Sequence, residues 1–151
     1  MAALGLTACS GPQTEASPQP SMSSAAPSSS SASPSPTEPP SPVLVPEGTA
    51  EDNLPVFTTV TAAVWATPEQ VSGRAYIDAL VAAGFDKSAM QVTPDQSTIG
   101  NAAESIQFSV RWGDECLVGQ VGPATGAPVT VVVPALAEGT CLIGATRPID
   151  W

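Results

Sequence analysis

The clearest pattern in the chain is the alternation in SIQFSVRW, residues 105–112, where Ile106, Phe108, Val110 and Trp112 are separated by Gln107, Ser109 and Arg111. A period of two sends the apolar side chains to one side of an extended backbone and predicts a half-buried strand. Gly113-Asp114 follows, a two-residue turn of the kind that joins antiparallel strands. Folding the next run back across it sets Val110 opposite Leu117, Phe108 opposite Gly119 and Ile106 opposite Val121. One face is then wholly apolar, and the Phe108 ring covers the space that Gly119 leaves. A slip of one residue brings Val118 and Gln120 to that face instead. Residues 90–93 and 129–133 read as further strands. The second of these is apolar throughout, which predicts burial on both sides. Residues 140–143 read as a last short strand.

A period near 3.6 precedes these strands. Asn53 ahead of Leu54-Pro55 predicts an N-cap with proline in the first turn, opening a helix that runs to about Ala66. Leu54, Phe57, Val60 and Val64 form its apolar stripe. Ser72 is expected to cap a second helix over 73–83, with Tyr76, Ile77, Leu80 and Val81 on one face and Gly84 as its stop. Thr67-Pro68 separates the two. The fold class is therefore α+β, an N-terminal helical hairpin packed on an antiparallel sheet of three to five strands, occupying residues 49–151.

Ahead of that domain the pattern disappears. Residues 10–48 contain twelve Ser and ten Pro among 39 positions and no Lys or Arg. Such a segment buries too little apolar surface to offset its chain entropy, so 9–48 reads as a disordered tether. Its reach lies between ~35 Å as a coil and ~120 Å as a polyproline-like rod. Residues 1–8, MAALGLTA, keep only the apolar end and small residues of a secretory signal and read as a truncated lipoprotein signal peptide. Leu6, Ala8, Ser10 and Gly11 around Cys9 resemble a bacterial lipobox. In such signals the cysteine thiol receives a diacylglyceryl group and becomes the new N-terminus. Cys9 is therefore the expected lipidation site, and a membrane held through that lipid the expected first partner. No stretch of about 20 apolar residues is present to form a spanning helix.

Charge narrows the partners further. The 151-residue chain has a formal net charge of −10, with four Lys and Arg against fourteen Asp and Glu. An acidic domain is not drawn to nucleic acid or to anionic headgroups. There is no His, which excludes a His-based triad. Lys87 lies in DKSAM and lacks the Ser-x-x-Lys spacing of a serine nucleophile. Gly119, Gly122 and Gly126 form no phosphate loop, and Asp114 and Glu115 sit together at a hairpin tip as solvated charge. Trp65, Trp112 and Trp151 offer a sugar-stacking platform or core packing, and packing is the reading adopted. Once Cys9 is lipidated, Cys116 and Cys141 remain. In an exported domain such a pair reads as a disulfide, with two separate buried thiols as the alternative. Two cysteines without His do not complete a zinc shell, so no metal and no cofactor are assigned.

The strings GRAYIDALVAAGFDKSAMQVTPD, SIQFSVRWGDECLVGQ and GTCLIGATRPIDW resemble an uncharacterised family of actinobacterial lipoproteins, over about residues 53–151 and behind a lipobox and variable linker. The resemblance implies location at the extracytoplasmic face of the cell membrane, a Cys116–Cys141 bridge and a compact domain of unknown function ending in RPIDW. It carries no activity. The functional expectation is a non-catalytic binding or interaction module, its partner an envelope protein or the cell wall. The alternatives are a small cell-wall hydrolase working through two of the eleven carboxylates in residues 49–151, or a secreted inhibitor. Arg147 and Trp151 are the candidate binding residues, unless that tail docks on its own sheet.

Overall fold

The computed structural model describes residues 40–151. Cys9, the signal segment and most of the Ser/Pro-rich stretch lie outside them. The described chain runs through two helices, α1 (Ala50–Trp65) and α2 (Gly73–Ala82), and a 3₁₀ turn at Lys87–Ala89. Four strands follow: β1 (Met90–Val92), β2 (Ile106–Trp112), β3 (Glu115–Val121) and β4 (Val129–Pro134). The strands form one antiparallel sheet in the order β1-β2-β3-β4. This is the α+β fold the sequence predicts, with helices first and sheet after.

The central hairpin pairs as the alternation requires, with Ile106 opposite Val121, Phe108 opposite Gly119 and Val110 opposite Leu117. On this inner face Phe108 stacks on Tyr76 with ring centroids 4.6 Å apart and leans on Phe57 at 5.7 Å. A Cβ on Gly119 would collide with the Phe108 ring. The absence of a side chain on β3 is what lets that aromatic lie flat against the sheet. α1 packs on β3 and β4, and α2 on β1 and β2. Phe57, Tyr76, Ile77, Leu80, Val92, Phe108, Leu117 and Val121 are all fully enclosed there.

Several boundaries differ from the sequence reading. α1 opens four residues earlier, because Thr49 and Asp52 close a capping box. The Thr49 hydroxyl accepts the Asp52 N–H at 3.1 Å, and the Asp52 carboxylate accepts the Thr49 N–H at 2.8 Å. Asn53 is not the cap but a buried residue of the helix. Its amide donates to the Val45 and Thr49 carbonyls, and its oxygen accepts the Val45 N–H. Those bonds hold the chain from Val45 onward against the domain, where Leu44 also packs on the core and the Trp112 indole donates to the Gly48 carbonyl at 2.7 Å. The buried stripe of α1 accordingly runs through Ala50, Asn53, Phe57, Thr61 and Val64, with Leu54 and Val60 half-buried.

In α2 the Ser72 side chain makes no cap; the Gly73 N–H is taken by the Asp95 carboxylate at 2.9 Å. Val81 is exposed. At the other end Gly84 sits at φ 101°, and the Phe85 N–H reaches back to the Leu80 carbonyl while Gly84 reaches Val81. This is the glycine stop the sequence predicts.

β4 is an edge strand and is not buried on both sides: Val129 and Val131 are exposed on the outer face. An apolar run cannot distinguish a central strand from an edge whose outer face lacks a covering layer. Residues 140–143 form no strand. Two of their N–H groups are satisfied by a side chain in place of a ladder: Gln91 Oε1 accepts from Cys141 at 2.6 Å and from Leu142 at 3.3 Å.

Candidate functional site

The outer face of the sheet carries Gln91 from β1, Gln107, Ser109 and Arg111 from β2, and Cys116, Val118 and Gln120 from β3. Part of it is covered by a strap, the chain after β4. The strap turns tightly at residues 136–140, where Gly139 donates to the Leu136 carbonyl and Leu136 to the Thr140 carbonyl, each at 2.8 Å. Three attachments then fix it. Cys141 is disulfide-bonded to Cys116, with Cα atoms 5.7 Å apart. Gln91 receives two of its N–H groups, and the Arg147 N–H donates to the Val92 carbonyl at 2.9 Å. Ser109, on this face of β2, is fully buried.

Between the strap, the hairpin tip and the start of β1 lies an open groove of about 500 Å³. It is lined by residues 88–91 together with Arg111, Gly113, Gly139 and Cys141. Arg111 is its one charged lining residue. The Nε of Arg111 donates to the Gly113 carbonyl at 3.0 Å, which turns the guanidinium over the hairpin tip. From the other side Gly139, at φ 73°, brings bare backbone against it: a Cβ there would lie 2.8 Å from Nη1 and 3.2 Å from Cζ. A side chain at 139 would therefore be strained by its backbone, and the arginine head would have to move to admit it. Nη1 and Nη2 have no acceptor among the described residues. At the groove's edge the Ser88 hydroxyl donates to Asp86 at 2.8 Å. That bond, with the Ser88 N–H, holds the Asp86 carboxyl below its ordinary pKa of 3.8.

Arg147 and Trp151 are brought together elsewhere, against α2 and β1. The Arg147 guanidinium pairs with Asp95 at 3.0 Å, the same carboxylate that caps α2. The Trp151 indole donates to Asp78 at 2.8 Å, and the Lys87 ammonium donates to the main-chain oxygen of Trp151. Arg147, Arg74 and Lys87 stand 4.9, 5.2 and 5.4 Å from the Trp151 ring centre. Three of the chain's four cations thus surround one indole. The tail is docked on its own domain, and most of its polar groups already have partners.

The sequence profile of a Domain of unknown function (DUF6993) matches residues 61–145. The chain belongs to this family. No curated protein matches the chain, and no solved structure matches it. The DUF6993 match contains every residue lining the Arg111 groove and both disulfide cysteines, and it stops short of Arg147 and Trp151. Among the described residues of this DUF6993 domain, no three His, Cys, Asp or Glu side chains gather to hold a metal ion. Sequence reading passed over Arg111 as one polar member of an alternating strand, and over Gln91 and Gly139 altogether. The available signal was scarcity: a chain with four cations places one of them on the outer face of its best-defined strand.

Proposed function

We propose that this chain is an actinobacterial lipoprotein, anchored by lipid on Cys9 at the extracytoplasmic face of the cell membrane, whose DUF6993 domain is a non-catalytic binding module for an envelope protein or the cell wall. The observation that carries the binding reading is the Arg111 groove. There a positioned guanidinium keeps its terminal nitrogens unclaimed on an otherwise acidic molecule, an arrangement suited to holding a ligand. The lipobox around Cys9 and the Ser/Pro-rich segment supply the anchoring half, since a tethered head is concentrated near its target without turnover.

Two readouts test the proposal. In cells, Cys9 incorporates a labelled fatty acid and Cys9→Ser does not; equal labelling of both removes the anchor. The purified chain is then incubated with peptidoglycan and envelope extract. Retention without released product supports the module. Sustained release that stops when one Asp or Glu is changed to its amide establishes a wall hydrolase instead.

A further inference from the structure

We infer that the groove over Arg111 takes a single carboxylate carried on a small, otherwise uncharged body. The inference deepens the binding-module reading and rests on it. A guanidinium presents parallel N–H donors that match the two oxygens of a carboxylate. In Arg111 the Nε donor is already spent on the Gly113 carbonyl, leaving the Nη1 and Nη2 end for a ligand. One bond, from Nε to the Gly113 carbonyl, already orients the group before any ligand arrives. Preorganisation of this kind lowers the entropy lost on binding. The groove's volume of about 500 Å³ admits a dipeptide or a single sugar ring.

Charge selects among anions. Arg111 is alone: Arg74, Lys87 and Arg147 are committed around Trp151, two of them in ion pairs with Asp78 and Asp95. Asp86 stands beside Ser88, and Asp114 and Glu138 adjoin the groove residues Gly113 and Gly139 in sequence. A second negative charge on the ligand would meet repulsion with no cation to offset it. A phosphate dianion is therefore disfavoured relative to a carboxylate. Ser88 Oγ, whose O–H is engaged in a hydrogen bond to Asp86, keeps lone pairs to accept an N–H or O–H from the ligand body. A peptide C-terminus and a sugar acid share this chemistry.

The test is a nuclear magnetic resonance titration of the whole 151-residue chain. The probes are acetyl-alanyl-alanine, its C-terminal amide, glucuronate and inorganic phosphate. Saturable shifts at Ser88, Gly113, Gly139 and Arg111 Nε with the peptide acid or with glucuronate, and none with the amide, support the inference; whichever acid binds names the source. Arg111→Gln abolishes the shifts, and Arg111→Lys, which keeps charge but loses the fork, weakens binding about fivefold or more. Both substitutions are at an exposed position, and unchanged resonances from the core report an intact fold. The inference is overturned if the amide binds like the acid, if phosphate binds more tightly than either carboxylate, if Arg111→Gln or Arg111→Lys binds as the unaltered chain does, or if no probe moves these resonances. Retention on envelope material in that last case leaves the module reading standing and removes only the carboxylate. Release of wall product removes the module reading whatever the groove does.

Discussion

The two faces of the sheet are held by different physics. On the inner face Phe57, Tyr76, Phe108 and the surrounding aliphatics are enclosed by two helices, and stability comes from apolar area removed from water. On the outer face a strap without regular structure is fastened at separate points, by a disulfide, a glutamine side chain and main-chain bonds, with Leu142 buried beneath it and the tail beyond tied down by Arg147 and Trp151. Contacts of the first kind are many and mutually supporting, so the inner face makes the fold. Those of the second kind are few and individually decisive, so the outer face makes a groove whose walls depend on its fastenings.

The largest effect should come from the inner face. Phe108→Ala removes a fully buried ring that also fills the space over Gly119, and costs about 3–5 kcal/mol by urea unfolding. Next is the strap's main fastening. Reducing Cys116–Cys141, which are 25 residues apart, or replacing both with Ala, lowers stability by about 3.5 kcal/mol in the chain-entropy model. A smaller loss follows for Gln91→Ala, which leaves the Cys141 and Leu142 N–H groups without their acceptor, at about 1–3 kcal/mol. Ile143→Ser, at a side chain left 84 % exposed beside these fastenings, changes stability by less than about 0.5 kcal/mol. If Ile143 proves as costly as Gln91, the strap is a packed layer and the contrast between faces fails.

Titration probes the same contrast without mutation. Tyr76 is the chain's one tyrosine, and burial raises its hydroxyl from 10.0 to about 12. Its ultraviolet ionisation midpoint should therefore lie near 12 in the folded chain and near 10 in denaturant. Because the folded state holds this proton more tightly, the stabilisation is complete below pH 10 and is lost as pH rises toward 12. Asp52 has the opposite sign. The Thr49 N–H, and then its hydroxyl, lower the carboxyl from 3.8, so its contribution is complete above that value and disappears as pH falls through the lowered one.

The inner face was legible because periodicity records it. The alternation from Ile106 to Trp112 and the Gly113-Asp114 turn dictate the register that the hairpin adopts, Gly119 beneath Phe108 included. The helix starts were less legible because caps depend on what folds back. Asn53 has the chemistry of a cap, yet Val45 returns to claim it as a buried anchor, and Asp95 reaches Gly73 across 22 residues. The strap left almost no pattern. Gln91 meets Cys141 over 50 residues through a side chain, and side chain-to-backbone contacts have no period. The cysteine pair was the one readable trace of that layer. Arg111 was visible as a residue but not as a site, since its significance comes from Gly113 and Gly139 converging on it.

Amide hydrogen exchange with and without reductant tests most directly whether the inner face builds the fold while the outer fastenings build the groove. Reduction should speed exchange at Gly139, Cys141 and Leu142, leave the β2–β3 ladder around Phe108 and Leu117 protected, and remove the carboxylate-induced shift at Arg111. Loss of ladder protection in step with the strap, or strap amides that stay protected after reduction, would contradict the account.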